Sequence, residues 1–194
     1  MTIQVERESL DAKSQHVSVS FTDKDNVQYL AGSAKPFPTE DVALLRLEEG
    51  KAFALGVVRS FADPLPANQS IDIAIAFASG VTPNISISGL CSGDAIGFLY
   101  EGSVVTGGTS IVAVNKNRNS VITSQSAALS NPTVTTLGTP ILAQILIGGQ
   151  GKKAGGGAVG SSDLILKPLT TYLFRLTNVN GTAHAAEIVL EWYE

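Results

Sequence analysis

Ile71-Asp72-Ile73-Ala74-Ile75-Ala76-Phe77 carries a large apolar side chain at every second position, and Ile85-Ser86-Ile87-Ser88 repeats the pattern. An extended strand turns successive side chains to opposite faces, so a period of two buries one face and leaves the other to small or polar residues. Isoleucine, branched at Cβ, suits that conformation. The two stretches predict half-buried strands separated by a turn at Pro83-Asn84.

The same punctuation continues outward. Further strands are predicted over 51–58, 95–100, 109–115, 140–147, 162–166, 171–177 and 184–193. Gly107-Gly108, Asn131-Pro132, Gly148-Gly149 and Asn180-Gly181 mark turns between them. About nine or ten short strands joined by turns predict an all-β, jelly-roll-like β-sandwich body over residues 51–194. No alternation of strand and helix occurs, which excludes a doubly wound nucleotide fold. The helix candidate is Thr39 to Gly50, with Thr39 as cap, Glu40 and Asp41 suited to the dipole and Gly50 as stop. Part of it could equally pair as a strand. Ser120 to Ser130, small and polar, predicts a long loop. The glycine-dense stretch Gly148 to Ser162, with Lys152 and Lys153, predicts a mobile loop.

Charge divides the chain. Of 30 charged side chains, 16 lie in residues 1–59, and Asn119 to Gly151 hold none. Residues 1–50 therefore read as a charged N-terminal arm or small subdomain. A chain of 194 residues buries roughly 70% of its unfolded surface, enough for a self-sufficient core. Charged residues make up only 15% against about a quarter in ordinary domains, which favours a large core or burial in an assembly. No Lys or Arg occurs between Arg59 and Lys116, and no basic stripe for a phosphate backbone is visible, so no nucleic-acid partner is expected. No window approaches 18 apolar residues, so no membrane span is expected. Glu6, Arg7 and Glu8 stand where a signal peptide needs apolar residues, which predicts a protein made in the cytoplasm. The sequons at Asn68, Asn84 and Asn180 are then chance matches. Cys91 is the single cysteine, so no intrachain disulfide can form.

Motifs with chemical meaning are few. Gly89-Leu90-Cys91-Ser92-Gly93 fits the nucleophile-elbow pattern, with His16 or His184 as the available base. The pattern needs a helix after the nucleophile, whereas Ala95 to Tyr100 predicts another strand; a strand-end turn with a packed thiol is the plainer alternative. Gly148-Gly149-Gln150-Gly151-Lys152-Lys153 fails as a phosphate loop, because Leu146 and Lys153 stand where glycine and Ser/Thr are required. Two histidines and one cysteine give no zinc-type cluster, and Asp23 with Asp25 falls short of a calcium loop. Asp72, Asp94 and Glu101 are the body acids that could meet as a glycosidase pair, though each reads more simply as a strand-face or turn residue. Trp192-Tyr193 could seal a sandwich edge, pack on a neighbouring subunit or, more sharply, form a sugar platform. No catalytic, cofactor-binding or metal residue is assigned, and no cofactor is expected.

One series of short motifs runs through the last three quarters of the chain. It comprises Glu49-Gly50-Lys51-Ala52-Phe53, Leu99-Tyr100-Glu101-Gly102, Gly108-Thr109 and Asn115-Lys116-Asn117-Arg118-Asn119. Leu137-Gly138-Thr139, Leu166-Lys167-Pro168-Leu169-Thr170-Thr171-Tyr172-Leu173, Arg175-Leu176-Thr177-Asn178 and the closing Trp192-Tyr193-Glu194 follow. In order and spacing this resembles the jelly-roll capsid decoration, or cement, proteins of tailed bacteriophages. The first 48 residues take no part in the likeness. The resemblance implies a non-enzymatic virion protein on the capsid surface, with the major capsid protein as partner and a homo-oligomer, a trimer favoured. The competing readings are a receptor- or glycan-binding domain of a tail fibre or spike and, third, a Cys- or carboxylate-dependent hydrolase. Acid–base groups are scarce for the last of these.

Overall fold

Ser70–Phe77 forms a strand, as the isoleucine alternation predicts, and so does Asn84–Cys91. The computed structural model describes residues 2–10, 14–22, 28–30, 42–146 and 164–194. The chain divides into two units, Met1–Asp41 and Val42–Glu194. The division falls inside the Thr39–Gly50 helix candidate rather than after it.

The smaller unit is a three-stranded antiparallel sheet of β1 (Thr2–Leu10), β2 (Ser14–Thr22) and β3 (Gln28–Leu30), in that order. Its register sets Ile3 opposite Phe21, Val5 opposite Val19, and Phe21 opposite Tyr29. Gln4 stands opposite Ser20, Glu6 opposite Ser18 and Glu8 opposite His16.

The larger unit begins with α1 (Val42–Glu48), a short helix inside the expected Thr39–Gly50 window. Gly50 follows it at φ 70°, a left-handed conformation that favours glycine at a helix end. The strands are then β4 (Ala52–Arg59), β5 (Ser70–Phe77), β6 (Asn84–Cys91), β7 (Ala95–Glu101), β8 (Val104–Thr106) and β9 (Thr109–Ile111). After these come β10 (Val114–Asn115), β11 (Ser126–Ser130), β12 (Thr133–Thr136), β13 (Thr139–Leu146), β14 (Leu164–Ile165), β15 (Tyr172–Asn178) and β16 (Ala186–Tyr193).

One sheet runs β10-β4-β16-β6-β14 and the other β13-β7-β15-β5-β11-β9, both antiparallel. Setting aside the β8–β12 insertion leaves eight strands, ordered first-eighth-third-sixth in one sheet and second-seventh-fourth-fifth in the other. That is the order of a jelly roll. The insertion supplies β10 to the edge of one sheet and β11 and β9 to the edge of the other, while β8 and β12 pair as a separate ribbon.

The interior lies between the sheets. Phe53, Leu55, Ile85, Ile87, Ile188, Leu190 and Trp192 from one sheet meet Ile71, Ile73, Ile75, Phe77, Phe174 and Leu176 from the other in a single buried cluster. Trp192 stacks on Phe53 with ring centroids 6.0 Å apart and meets Phe77 edge-on at 5.7 Å. Such pairs add about 0.5–1.5 kcal/mol each beyond the area they bury.

Three expectations need correction. Ser120 to Ser130 is not one long loop: its second half is β11, paired with β5 on one side and β9 on the other. Its serines sit at the strand ends, while Ala128 is buried in the core, where only a small side chain is called for. The span 109–115 is not one strand but two, in different sheets, because the chain turns the corner of the sandwich at Val112-Ala113. β16, which carries Trp192, is no edge: it lies between β4 and β6. The glycine-dense stretch Gly148 to Ser162 lies outside the described residues.

Removing the indole should leave a large cavity between the sheets. Trp192→Ala is expected to cost about 3–5 kcal/mol of stability in urea denaturation followed by circular dichroism. A cost below about 1 kcal/mol would contradict its place in the core.

Candidate functional site

The nucleophile-elbow motif closes β6. Cys91 is its last residue, buried at 2% exposure, and β7 starts at Ala95, so the motif is a tight strand-to-strand turn with no helix behind it. Gly93 is required there by close approach: a Cβ at that position would lie 2.6 Å from the His184 ring and from Asn180 Nδ2. Glycine therefore serves packing, not an oxyanion hole.

His184 does come to this turn. Its Nδ1 lies 3.2 Å from Ser92 Oγ and its Nε2 lies 3.1 Å from Thr182 Oγ1. Ser92 Oγ also accepts the Ala185 N–H at 3.1 Å. Both imidazole nitrogens thus face hydroxyls, which orient the ring without the charge a catalytic carboxylate would supply. Backbone bonds between Leu65 and His184, at 2.8 and 3.0 Å, fix the same corner to the β4–β5 connection. Asn178, fully buried, donates from Nδ2 to the carbonyls of Leu65, Pro66 and Thr182. The ensemble ties three connections together at one end of the sandwich. His16, the other candidate base, stands on β2 opposite Glu8.

A groove of about 390 Å³ opens beside this corner, walled by Val58, Phe61, Leu90, Cys91, Ser92 and Glu187. Phe61 is 85% exposed at its rim. Burial pushes the Cys91 thiol up from its ordinary value, with the Asp94 charge adding to the rise against a backbone hydrogen bond from Gly93. A thiol held protonated is a poor nucleophile. A second cavity of about 480 Å³, bordered by Ala74, Val105, Ile111, Ala113, Ala128 and Thr171, has no titratable side chain in its wall.

The three body acids do not form a pair. Asp72 receives a two-pronged bond from Arg175, Nε to Oδ1 at 2.8 Å and NH2 to Oδ2 at 2.7 Å. Glu101 accepts from Lys167 Nζ at 2.6 Å and from the Tyr172 hydroxyl at 2.9 Å. Asp94 and Glu101 flank opposite ends of β7, about 23 Å apart at strand rise. Hydrogen bonds from Lys167 first and Tyr172 second hold the Glu101 carboxyl below its usual range.

Trp192 is 1% exposed, which removes the sugar-platform reading for the indole; its Nε1 donates to Glu194 Oε1 at 3.0 Å. Among the described residues no cluster of three or more His, Cys, Asp or Glu side chains could hold a metal. Asp23, Asp25, Lys152 and Lys153 lie outside the described residues. What the sequence did not reveal is the Ser92–His184 contact, formed across 92 positions with no local signal beyond the neighbouring glycines.

Two outcomes follow from this geometry. Cys91→Ala should leave folding and any binding intact and cost at most about 2 kcal/mol, measured by urea denaturation. Glu101 has a folded pKa below its unfolded one, so its contribution to stability is present above the unfolded value and is lost as pH falls through the folded value. Glu101→Gln should therefore flatten part of the loss of thermal stability on acidification below the ordinary glutamate range; an unchanged acid profile would contradict the network. A scan against protein-family models, a search of curated proteins and a search of solved structures each found no match to this chain.

Proposed function

We propose that this chain is a non-catalytic structural protein that binds the outer surface of a tailed-phage capsid and stabilises contacts between capsid subunits. The observation that carries the proposal is where the resemblance motifs fall. They meet in pairs across the body as locks between elements far apart in sequence. Asn115 Nδ2 donates to the Gly50 carbonyl at 2.7 Å, joining two motifs 65 positions apart, and Asn117 Nδ2 donates at 3.1 Å to the carbonyl of Glu48, the residue just before the first of them. Glu101 from another motif is held by Lys167 and Tyr172 of a third. Ser103 donates to the Leu137 carbonyl, and a Cβ on Gly138 would strike the Glu101 carbonyl.

Side chains spent on holding a shape suit a protein whose work is to present a rigid surface. A body of this kind joined to a second, charge-bearing unit can engage two neighbouring subunits at once. Two tethered contacts raise effective concentration and hence avidity. The capsid protein is the expected partner, together with further copies of the chain itself, a trimer being favoured by the resemblance.

The test is sedimentation of the purified chain with capsids that lack it. The full chain should cosediment, and a chain lacking residues 1–41 should stay folded yet bind at least tenfold more weakly, about 1.4 kcal/mol. Unchanged binding would place the whole contact surface on the body. No binding by the full chain, with retention on a glycan array instead, would favour the receptor-binding reading.

A further inference from the structure

Asn180-Gly181 is the one Asn-Gly pair in the sequence. In the fold it lies just past β15, at the corner where Ser92, Asn178 and His184 meet. The Asn180 side chain reaches from there to the β6–β7 turn. Its Nδ2 donates to the Asp94 carbonyl at 2.8 Å and to Asn178 Oδ1 at 3.3 Å. The same Nδ2 packs so closely on Gly93 that a Cβ there would stand 2.6 Å from it. One primary amide therefore ties the connection after β15 to the start of β7, across 86 positions.

That amide stands beside the residue best able to attack it. An asparagine side chain and the next main-chain nitrogen can close a five-membered ring, and a side chain on the next residue hinders the closure. Gly181 carries none, and no heavy atom lies within 4 Å of where its Cβ would be. It is exposed, and its N–H makes no hydrogen bond among the described residues. The nitrogen is thus open to lose its proton to solvent.

We propose that Asn180 is a site of spontaneous deamidation and that the conversion unties this corner of the sandwich. Hydroxide removes the Gly181 amide proton, and the nitrogen's electron pair forms a bond to Asn180 Cγ. The Cγ–Nδ2 bond then breaks, the leaving nitrogen takes a proton from water, and ammonia departs from a cyclic imide. Water adds to one imide carbonyl and a ring C–N bond breaks, which gives aspartate or, through the other carbonyl, isoaspartate. Water is the only co-reactant. The hydrogen bonds from Nδ2 turn the amide toward Asp94, so ring closure waits until the tie opens locally.

The product cannot remake the tie. An ionised carboxylate accepts hydrogen bonds and donates none. It would face the Asp94 carbonyl and Asn178 Oδ1, which are acceptors too. The isoaspartyl form also lengthens the main chain by a methylene just before Thr182, whose carbonyl accepts from Asn178 Nδ2 at 2.8 Å. Either form loosens the corner and adds one negative charge to the chain.

Incubation of the purified full chain in warm, mildly alkaline buffer tests the proposal. Ion exchange separates the more acidic product, and peptide mapping locates it. The product should map to Asn180 ahead of every other asparagine and should form at least tenfold faster in urea, where the tie is gone. Gly181→Ala should slow the reaction in the folded chain at least tenfold, about 1.4 kcal/mol on its barrier. Alanine fits there, because the space around Gly181 is open. The separated product should melt about 2–4 °C below the fresh chain, and Asn180→Asp should show a similar shift without incubation. Acidic product arising first at another asparagine, a rate indifferent to urea or to Gly181→Ala, or a product that melts with the fresh chain would overturn the proposal.

Discussion

Trp192 touches both sheets, and the body depends on the space it occupies. Two packed sheets are about 10 Å apart, so each contributes a single layer of side chains to the interior. Every second residue of β4, β5, β6, β15 and β16 must then be apolar, and every charge must leave the layer between them. The charges go to the ends and the outer faces. Arg175 and Asp72 pair outside the six-stranded sheet, and Glu101 and Lys167 close one end. Asn178, His184 and Ser92 close the other with hydrogen bonds.

This division of labour explains why the chain is so poor in reactive groups. A buried polar group must be partnered, at a cost of about 1–3 kcal/mol if it is not. Apart from Arg59 Nε and Asn84 Oδ1, the buried polar side-chain atoms described here meet that demand for one another and for the backbone of long connections. Lys167 N donates to the Tyr172 hydroxyl, and that hydroxyl donates to Glu101, so one phenol serves a turn, a strand and an ion pair together. Little polar capacity is left over for a substrate at these positions.

The strands with strict alternation were legible because period two has one physical meaning. Ile71 to Phe77 and Ile85 to Ile87 could be placed with no knowledge of their neighbours. β11 was hidden because Ser126-Ala127-Ala128-Leu129-Ser130 has small residues on both faces; it is a strand through its pairing with β5 and β9. The break at Val112-Ala113 was hidden for another reason: both residues suit a strand, and only the corner they turn separates them. Charge marked the first 50 residues as different, yet gave no hint of three paired strands. The corner built on Ser92, Thr182 and His184 is a product of topology, since nothing local in Ser92-Gly93 announces a histidine far along the chain.

The crossing at Val112-Ala113 has a mechanical meaning. Two residues carry the chain from β9 in one sheet to β10 in the other, while β11 returns to the first. The sheets are stitched along that flank like the spine of a book. Sliding one cover past the other would have to tear the short pairings of β10 with β4 and of β9 with β11 at the same time. Shear in the plane of the sandwich is thus resisted at the spine.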